Sequence, residues 1–162
     1  DCLKKGQSAK NTPLPSPLDA HSFNGGVYLD VVKAKFTSGW ELIANWSPAD
    51  AAGTREGFVH IPVLANTTPG EELTLAFNGT AVGIAVVSGP DAGIISYRVD
   101  EGPEKTIDLF TEWSSGLHLP WYLLLGSALP QGSHTLHIKV QKNHNGNSKG
   151  SVCRIVHFLV NK

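Results

Sequence analysis

The chain is 162 residues long, enough for one domain with its own core and too short for two of ordinary size. Thirteen Lys and Arg stand against fourteen Asp and Glu, a formal net charge of −1, so no broad basic field draws the chain to nucleic acid or to a membrane surface. Hydrophobic residues at 41% with charged residues at 17% describe a folding chain rather than a disordered one, and no apolar run approaches the roughly 20 residues that cross a bilayer.

In chain order, residues 1–21 carry Pro13, Pro15 and Pro17 among Lys, Ser, Asn and Gln with no sustained apolar period, which reads as a Pro-rich leader or linker ahead of a module over 22–162. From Val27 onward, short apolar runs are separated by Gly, Pro, Asn or Asp clusters about every ten residues. Strands are predicted over Val27–Lys33, Trp40–Ala44, Gly57–Pro62, Glu72–Asn78, Ala81–Val87, Ile94–Val99, Lys105–Leu109, Tyr122–Leu125, His134–Gln141 and Ser151–Val160. Their rhythm is that of an all-β chain folded as a single antiparallel β-sandwich. Leu136, Ile138 and Val140 alternate with Thr135, His137 and Lys139, so one side of that strand faces water. Ser151–Val160 is apolar on both sides and is predicted to be central. Simple alternation puts Val152, Val156, Phe158 and Val160 on one face and Cys153, Ile155 and Leu159 on the other. Arg154 and His157 interrupt it, and burial of either requires a hydrogen-bonding partner. Ser47–Ala52 (SPADAA) has the N-cap Ser and following Pro of one short helical turn.

Motifs for bond-breaking chemistry fail on context. Gly146-Asn147-Ser148-Lys149-Gly150 matches G-x-S-x-G, but a nucleophile elbow lies between a strand and a helix, and here a polar loop leads into a β-branched strand. His134 and His137 are three apart on a strand and point to opposite faces, so they do not share a zinc ion. No phosphate-binding glycine motif is present, and no cofactor is expected beyond a structural calcium ion held by loop carbonyls. Methionine is absent, as expected of a processed protein or an excised piece of a longer one. In an exported chain Cys2 and Cys153 read as one disulfide closing most of the sequence; the alternative is two free thiols. Asn45, Asn66 and Asn78 each open an N-x-S/T triplet.

Three loops carry the chemistry that remains. Asp108–Tyr122 (DLFTEWSSGLHLPWY) gathers Trp113, His118, Trp121 and Tyr122 around turn residues. Phe110, Leu119 and Tyr122 read as a lid packed over the sandwich, whereas Trp113 and His118 are candidates to contact a ligand, since aromatic faces suit the C–H surfaces of sugar rings. Ser88–Gly93 (SGPDAG) offers Asp91, as a ligand contact or as a plain turn residue. Asp50–Gly57 (DAAGTREG) offers Arg55 and Glu56, either to a ligand or to each other.

The stretch PGEELTLAFNGTAVGIAVVSGPDAGIISYRVDEGPEKTIDLF, with WSSGLHLPWYLLL, LPQGSHTLHIKV and KGSVCRIVHFLVN, resembles the jelly-roll-like β-sandwich accessory domain that accompanies SGNH/GDSL-type esterases of polysaccharide-degrading bacteria, over roughly Ser22–Asn161. The resemblance implies a noncatalytic, secreted or periplasmic module. Such a module binds a polysaccharide or oligosaccharide, or it packs against an adjoining esterase domain and shapes its active site. No G-D-S block with a downstream D-x-x-H, which the catalytic domain carries, is present. Jelly-roll loops from non-adjacent strands gather at one end, so the resemblance groups Trp113, His118, Trp121, Asp91, Arg55 and Glu56 into one shallow sugar site free of catalytic residues.

Overall fold

The computed structural model describes Pro15, Leu18, Asp19 and residues 22–162. Most of the 1–21 leader and Cys2 lie outside the described residues. Eleven strands form among the described residues: β1 (Gly26–Leu29), β2 (Lys35–Phe36), β3 (Trp40–Trp46), β4 (Ile61–Asn66), β5 (Glu72–Gly79), β6 (Ala81–Ser88), β7 (Ile94–Val99), β8 (Lys105–Asp108), β9 (Leu119–Gly126), β10 (Gly132–Val140) and β11 (Cys153–Asn161). They make two antiparallel sheets, one ordered β3-β4-β11-β6-β9 with β1 also paired to β11, the other β2-β5-β10-β7-β8. This is an all-β sandwich. Its core is the apolar surface between the sheets, where Leu75, Phe77, Ile95, Leu136, Ile138 and Val140 meet Leu64, Ile84, Val86, Ile155 and Phe158.

The alternation expected in β10 is present: Leu136, Ile138 and Val140 are buried, and Lys139 is exposed. At its start His134 gives Nδ1 to Asp100 Oδ2 at 2.6 Å and Nε2 to the Pro130 carbonyl at 2.8 Å. Because both nitrogens face acceptors, the Asp100 bond first and the carbonyl second, the imidazole pKa is raised.

In β11 the expected phase is wrong by half a strand. The register slips between Ile155 and His157, a β-bulge with one extra residue. Cys153 and Ile155 therefore share the inner face with Phe158 and Val160, while Val156 packs on the outer side. The strand is central as expected, paired to β6 on one edge and to β4 and then β1 on the other. Cys153 is wholly buried and unpaired among the described residues, and burial pushes its thiol up to about 12. Arg154 has the partner its position demanded, whereas His157 is exposed and lies against the Tyr28 ring, centroids 5.2 Å apart.

Several other boundaries differ for local reasons. The run predicted over Val27–Lys33 breaks at Asp30, whose carboxylate accepts the Val32 N–H at 3.0 Å and caps a 3₁₀ turn over Val31–Lys33. The strand placed over Gly57–Pro62 starts at Ile61, because His60 sits at φ 60 with its N–H on the Trp46 carbonyl at 2.6 Å. β9 starts at Leu119 rather than Tyr122; Pro120 is accommodated because β9 is an edge strand. Ser47–Ala52 forms bends without a helical turn. Of the three N-x-S/T asparagines, Asn66 is 1% exposed, so folding hides it from modification.

The outward side of the β1-containing sheet is divided. Over β3, β4, β11 and β6, the 47–60 connection lies back on the sheet, and Trp46, Val63, Ala65, Val87 and Val156 form a second, smaller core with Phe58 and Val59 against it. Toward β1 and β9 nothing in the described chain covers the face. Tyr28, Tyr122 and Leu124 are exposed there, on either side of a floor narrowed to Gly83 and Ala85, and Phe23, Tyr28, Leu124 and Leu159 line a groove of about 400 Å³. Tyr122 thus belongs to this open face and not to a lid; Leu119 is buried as expected.

Candidate functional site

At the covered end, three loops and two strands, β3 and β11, converge on a cleft of about 470 Å³ lined by Ile43, Trp46, Pro48, Asp50, Asp91, His118 and Arg154, among others. Its polar groups come as two acid–base pairs. Asp50 accepts His118 Nε2 on both oxygens, at 3.0 and 3.2 Å. Asp91 takes both terminal nitrogens of Arg154, at 2.8 and 2.5 Å, in the bidentate geometry that fits guanidinium to carboxylate. The Trp46 ring connects the pairs: the guanidinium carbon lies 5.3 Å from its centroid, and the His118 ring meets it edge-on at 5.5 Å.

Each pair is delivered by a short parallel bridge between loops. Gly53 pairs with Leu117, through Gly53 N–H to Gly116 carbonyl at 2.9 Å and His118 N–H to Gly53 carbonyl at 2.8 Å, and this sets His118 opposite Asp50. Ala92 pairs with Val152, through Gly93 N–H to Val152 carbonyl and Val152 N–H to Asp91 carbonyl, both at 2.9 Å, two residues before Arg154. The second bridge depends on a residue without a side chain, since a Cβ on Gly93 would collide with the Ser151 backbone. Ser148 serves the same brace. It is buried, and its hydroxyl donates to the Ala92 carbonyl at 2.7 Å. The G-x-S-x-G match is therefore a loop staple.

Electrostatics follow from this pairing. Burial works to raise the Asp91 pKa, but the Arg154 hydrogen bonds and charge outweigh it, so the carboxyl lies below its ordinary value. Asp50 is lowered in the same way, with burial opposed by the His118 hydrogen bond and by the Ala52 N–H. His118 is 2% exposed, and its Nδ1 has no hydrogen-bond partner among the described residues; it faces Gly89, where any Cβ would overlap that nitrogen.

Of the six residues grouped from the sequence, the structure brings Asp91 and His118 together in the cleft. His118 is interred there rather than displayed. Trp113, Trp121, Arg55 and Glu56 do not line it. Trp113 stands 60% exposed on a turn locked beneath it by Ser114, whose hydroxyl meets those of Ser88 at 2.5 Å and Thr111 at 2.8 Å. Trp121 sits on edge strand β9 opposite Val86, and Arg55 and Glu56 are exposed further along the 47–60 connection. Asp50, Trp46 and Arg154 were not picked out as site residues; the signals that mark them are an unexplained Arg in a core strand and an Asp beside a strand-terminal Trp. Among the described residues, no group of three or more His, Cys, Asp or Glu is placed to hold a metal ion.

No protein-family model matches the chain, and no curated protein sequence matches it. Solved structures of the same architecture do. A two-domain esterase active on acetylated mannans, co-crystallised with mannopentaose, aligns with a TM-score of 0.63 at 13% identity, over 92% of this chain and 39% of that one. A Paenibacillus xanthan lyase aligns at TM-score 0.53 and 18% identity, over 83% of this chain and 13% of the enzyme. An exo-β-1,3-galactanase from Phanerochaete chrysosporium gives 0.52 and 14%, over 83% and 29%. At these identities the likeness is one of fold. The chain spans about two fifths of the length of the two-domain esterases it resembles.

Proposed function

We propose that the chain is a noncatalytic, carbohydrate-associated module of a secreted polysaccharide-degrading enzyme, and that its loop cleft is where glycan binds. One observation carries this reading: three loops far apart in sequence are braced onto one another so that Asp50 and Asp91 are held rigidly, each by its own base, at the rim of a partly apolar cleft. Carboxylate lone pairs not taken by His118 and Arg154 accept sugar hydroxyls, and Ile43, Pro48 and the edge of Trp46 supply apolar contact for ring C–H groups. The pairing holds both carboxyls below their ordinary pKa, which argues against either serving as a general acid. The solved structures with this fold, which include enzymes acting on mannans, xanthan and galactan, support the carbohydrate context.

A site of this size with few contacts binds weakly, with Kd in the range of about 10 μM to 1 mM. Isothermal titration against a panel of neutral plant and algal polysaccharides is expected to show such binding, lost in Asp50→Ala. No binding to any of them, or binding untouched by Asp50→Ala, overturns the reading.

The open apolar face favours a second reading, in which Tyr28, Tyr122 and Leu124 pack against an adjoining esterase domain. The two-domain architecture of the mannan esterases supports it. Co-expression with a G-D-S-type catalytic domain is expected to give a stable complex that Leu124→Asp dissolves; no complex with the unaltered chain counts against it.

A further inference from the structure

We infer that the cleft discriminates by charge, accepting uncharged, hydroxyl-bearing glycans and turning away glycans built of uronic acids, with Asp50 as the residue that sets this selectivity. The inference rests on the glycan reading of the cleft and adds the class of glycan.

Arg154 is the one cation lining the cleft among the described residues. Both its terminal nitrogens are committed to Asp91, its side chain is 10% exposed, and its flat face lies on Trp46. It cannot turn to greet a carboxylate without stranding Asp91. His118 turns its Nε2 onto Asp50, and its Nδ1 is buried against Gly89, so the ring offers an incoming carboxylate no accessible nitrogen. Lys149 belongs to the same loop assembly through its N–H on the Pro90 carbonyl, but it is exposed and does not line the cleft.

What is left is Asp50, with a side chain 45% exposed and no Lys or Arg paired with it among the described residues. The cleft therefore presents the exposed Asp50 carboxylate, with its cationic groups turned away or buried, and an excess of hydrogen-bond acceptors. A sugar hydroxyl is a donor and fits. A uronate carboxylate is an acceptor only, and at about 6 Å from Asp50 in partly screened surroundings the repulsion amounts to roughly a tenfold loss of affinity.

Matched pairs that carry or lack a charge at C6 test this: galacturonan oligosaccharides against their methyl esters, which keep every ring hydroxyl, and cello-oligosaccharides against their C6-oxidised counterparts, each titrated into the whole chain. The uncharged member of each pair that binds is expected to bind about tenfold more tightly. Raising the salt from about 0.05 to 0.5 M is expected to narrow the gap without any mutation. Asp50→Asn, which keeps a carbonyl oxygen for the His118 N–H, is expected to narrow it to about twofold, and the unchanged thermal transition of a folded variant checks that the cleft survives. Equal or tighter binding of the uronate member, or a gap that neither salt nor Asp50→Asn alters, overturns the charge selection while leaving the glycan site standing. Absence of binding to these and to every neutral polysaccharide removes the glycan reading itself.

Discussion

The two halves of the outward face of one sheet have opposite fates. Over β3, β4, β11 and β6, the fourteen residues from Ser47 to His60 fold back and bury Val63, Val87 and Val156 beneath Trp46 and Phe58; toward β1 and β9 the same sheet leaves Tyr28, Tyr122 and Leu124 in the open. Strand sequence does not explain the difference, because both halves present large apolar side chains. The difference lies in the connections: a long one is available to cover the first half, while tight turns such as Gly79-Thr80 between β5 and β6 serve the other end. The covered half gains a rigid rim on which charges are fixed in pairs. The open half keeps apolar surface that no described residue buries.

Substitutions on the two halves test that contrast. The largest effect is expected for Trp46→Ala, which removes the side chain that roofs the second core and lies against both Arg154 and His118. A loss of about 3–5 kcal/mol, seen as a fall in Tm of roughly 10 °C by differential scanning calorimetry, is expected; a loss under about 1 kcal/mol makes the cover ornamental. Arg154→Ala is expected to cost about 2–3 kcal/mol in urea unfolding, below the full cost of a stranded buried charge because the Asp91 side chain is 30% exposed.

Acid distinguishes the halves next. Asp91 has a folded pKa below its unfolded value, so the stability it contributes is present above about pH 4 and drains away as pH falls through the folded value. Hydrogen exchange below about pH 4 is therefore expected to speed up at the Gly93 and Val152 amides, which brace the cleft, before the β1–β11 amides, and Asp91→Asn is expected to abolish that order. The smallest effect belongs to the open half. Leu124→Ser is expected to stay within about 0.5 kcal/mol of the unaltered chain in the same urea experiment, since its side chain is 53% exposed.

The sandwich itself was legible because its evidence is local. Period-two alternation in β10 and the Gly, Pro and Asp punctuation between strands need no tertiary knowledge. The phase of β11 was not legible, because a bulge leaves no mark in composition: Val156 is as apolar as its neighbours and only its register sets it apart. For the cleft, the sequence pointed to the three loops and to the need for a partner at Arg154. It could not say that Asp50 rather than Arg55 or Glu56 would face inward, because that choice is made by backbone bonds between Gly53 and the 116–118 segment, and a two-residue parallel bridge has no periodicity to read. Aromatic content does not locate the cleft for a related reason. Trp113 and Trp121 stand out in the sequence, yet the tryptophan of the cleft is Trp46, whose place at the end of β3 looks like ordinary core.

The extra residue in β11 lets one strand answer to two masters. With it, Arg154 points outward to Asp91 while Phe158 and Val160 still point inward; in an unbroken strand with the same C-terminal half, Arg154 would be driven between the sheets. Excising Val156 leaves Ile155 opposite Val86 and His157 opposite Ala85, an unbroken ladder in which every inward side chain keeps its side and Arg154 still faces Asp91. A one-codon deletion is thus expected to leave the Arg154–Asp91 pair fastened while taking one aliphatic side chain out of the second core, so its cost in stability reads that core apart from the rim.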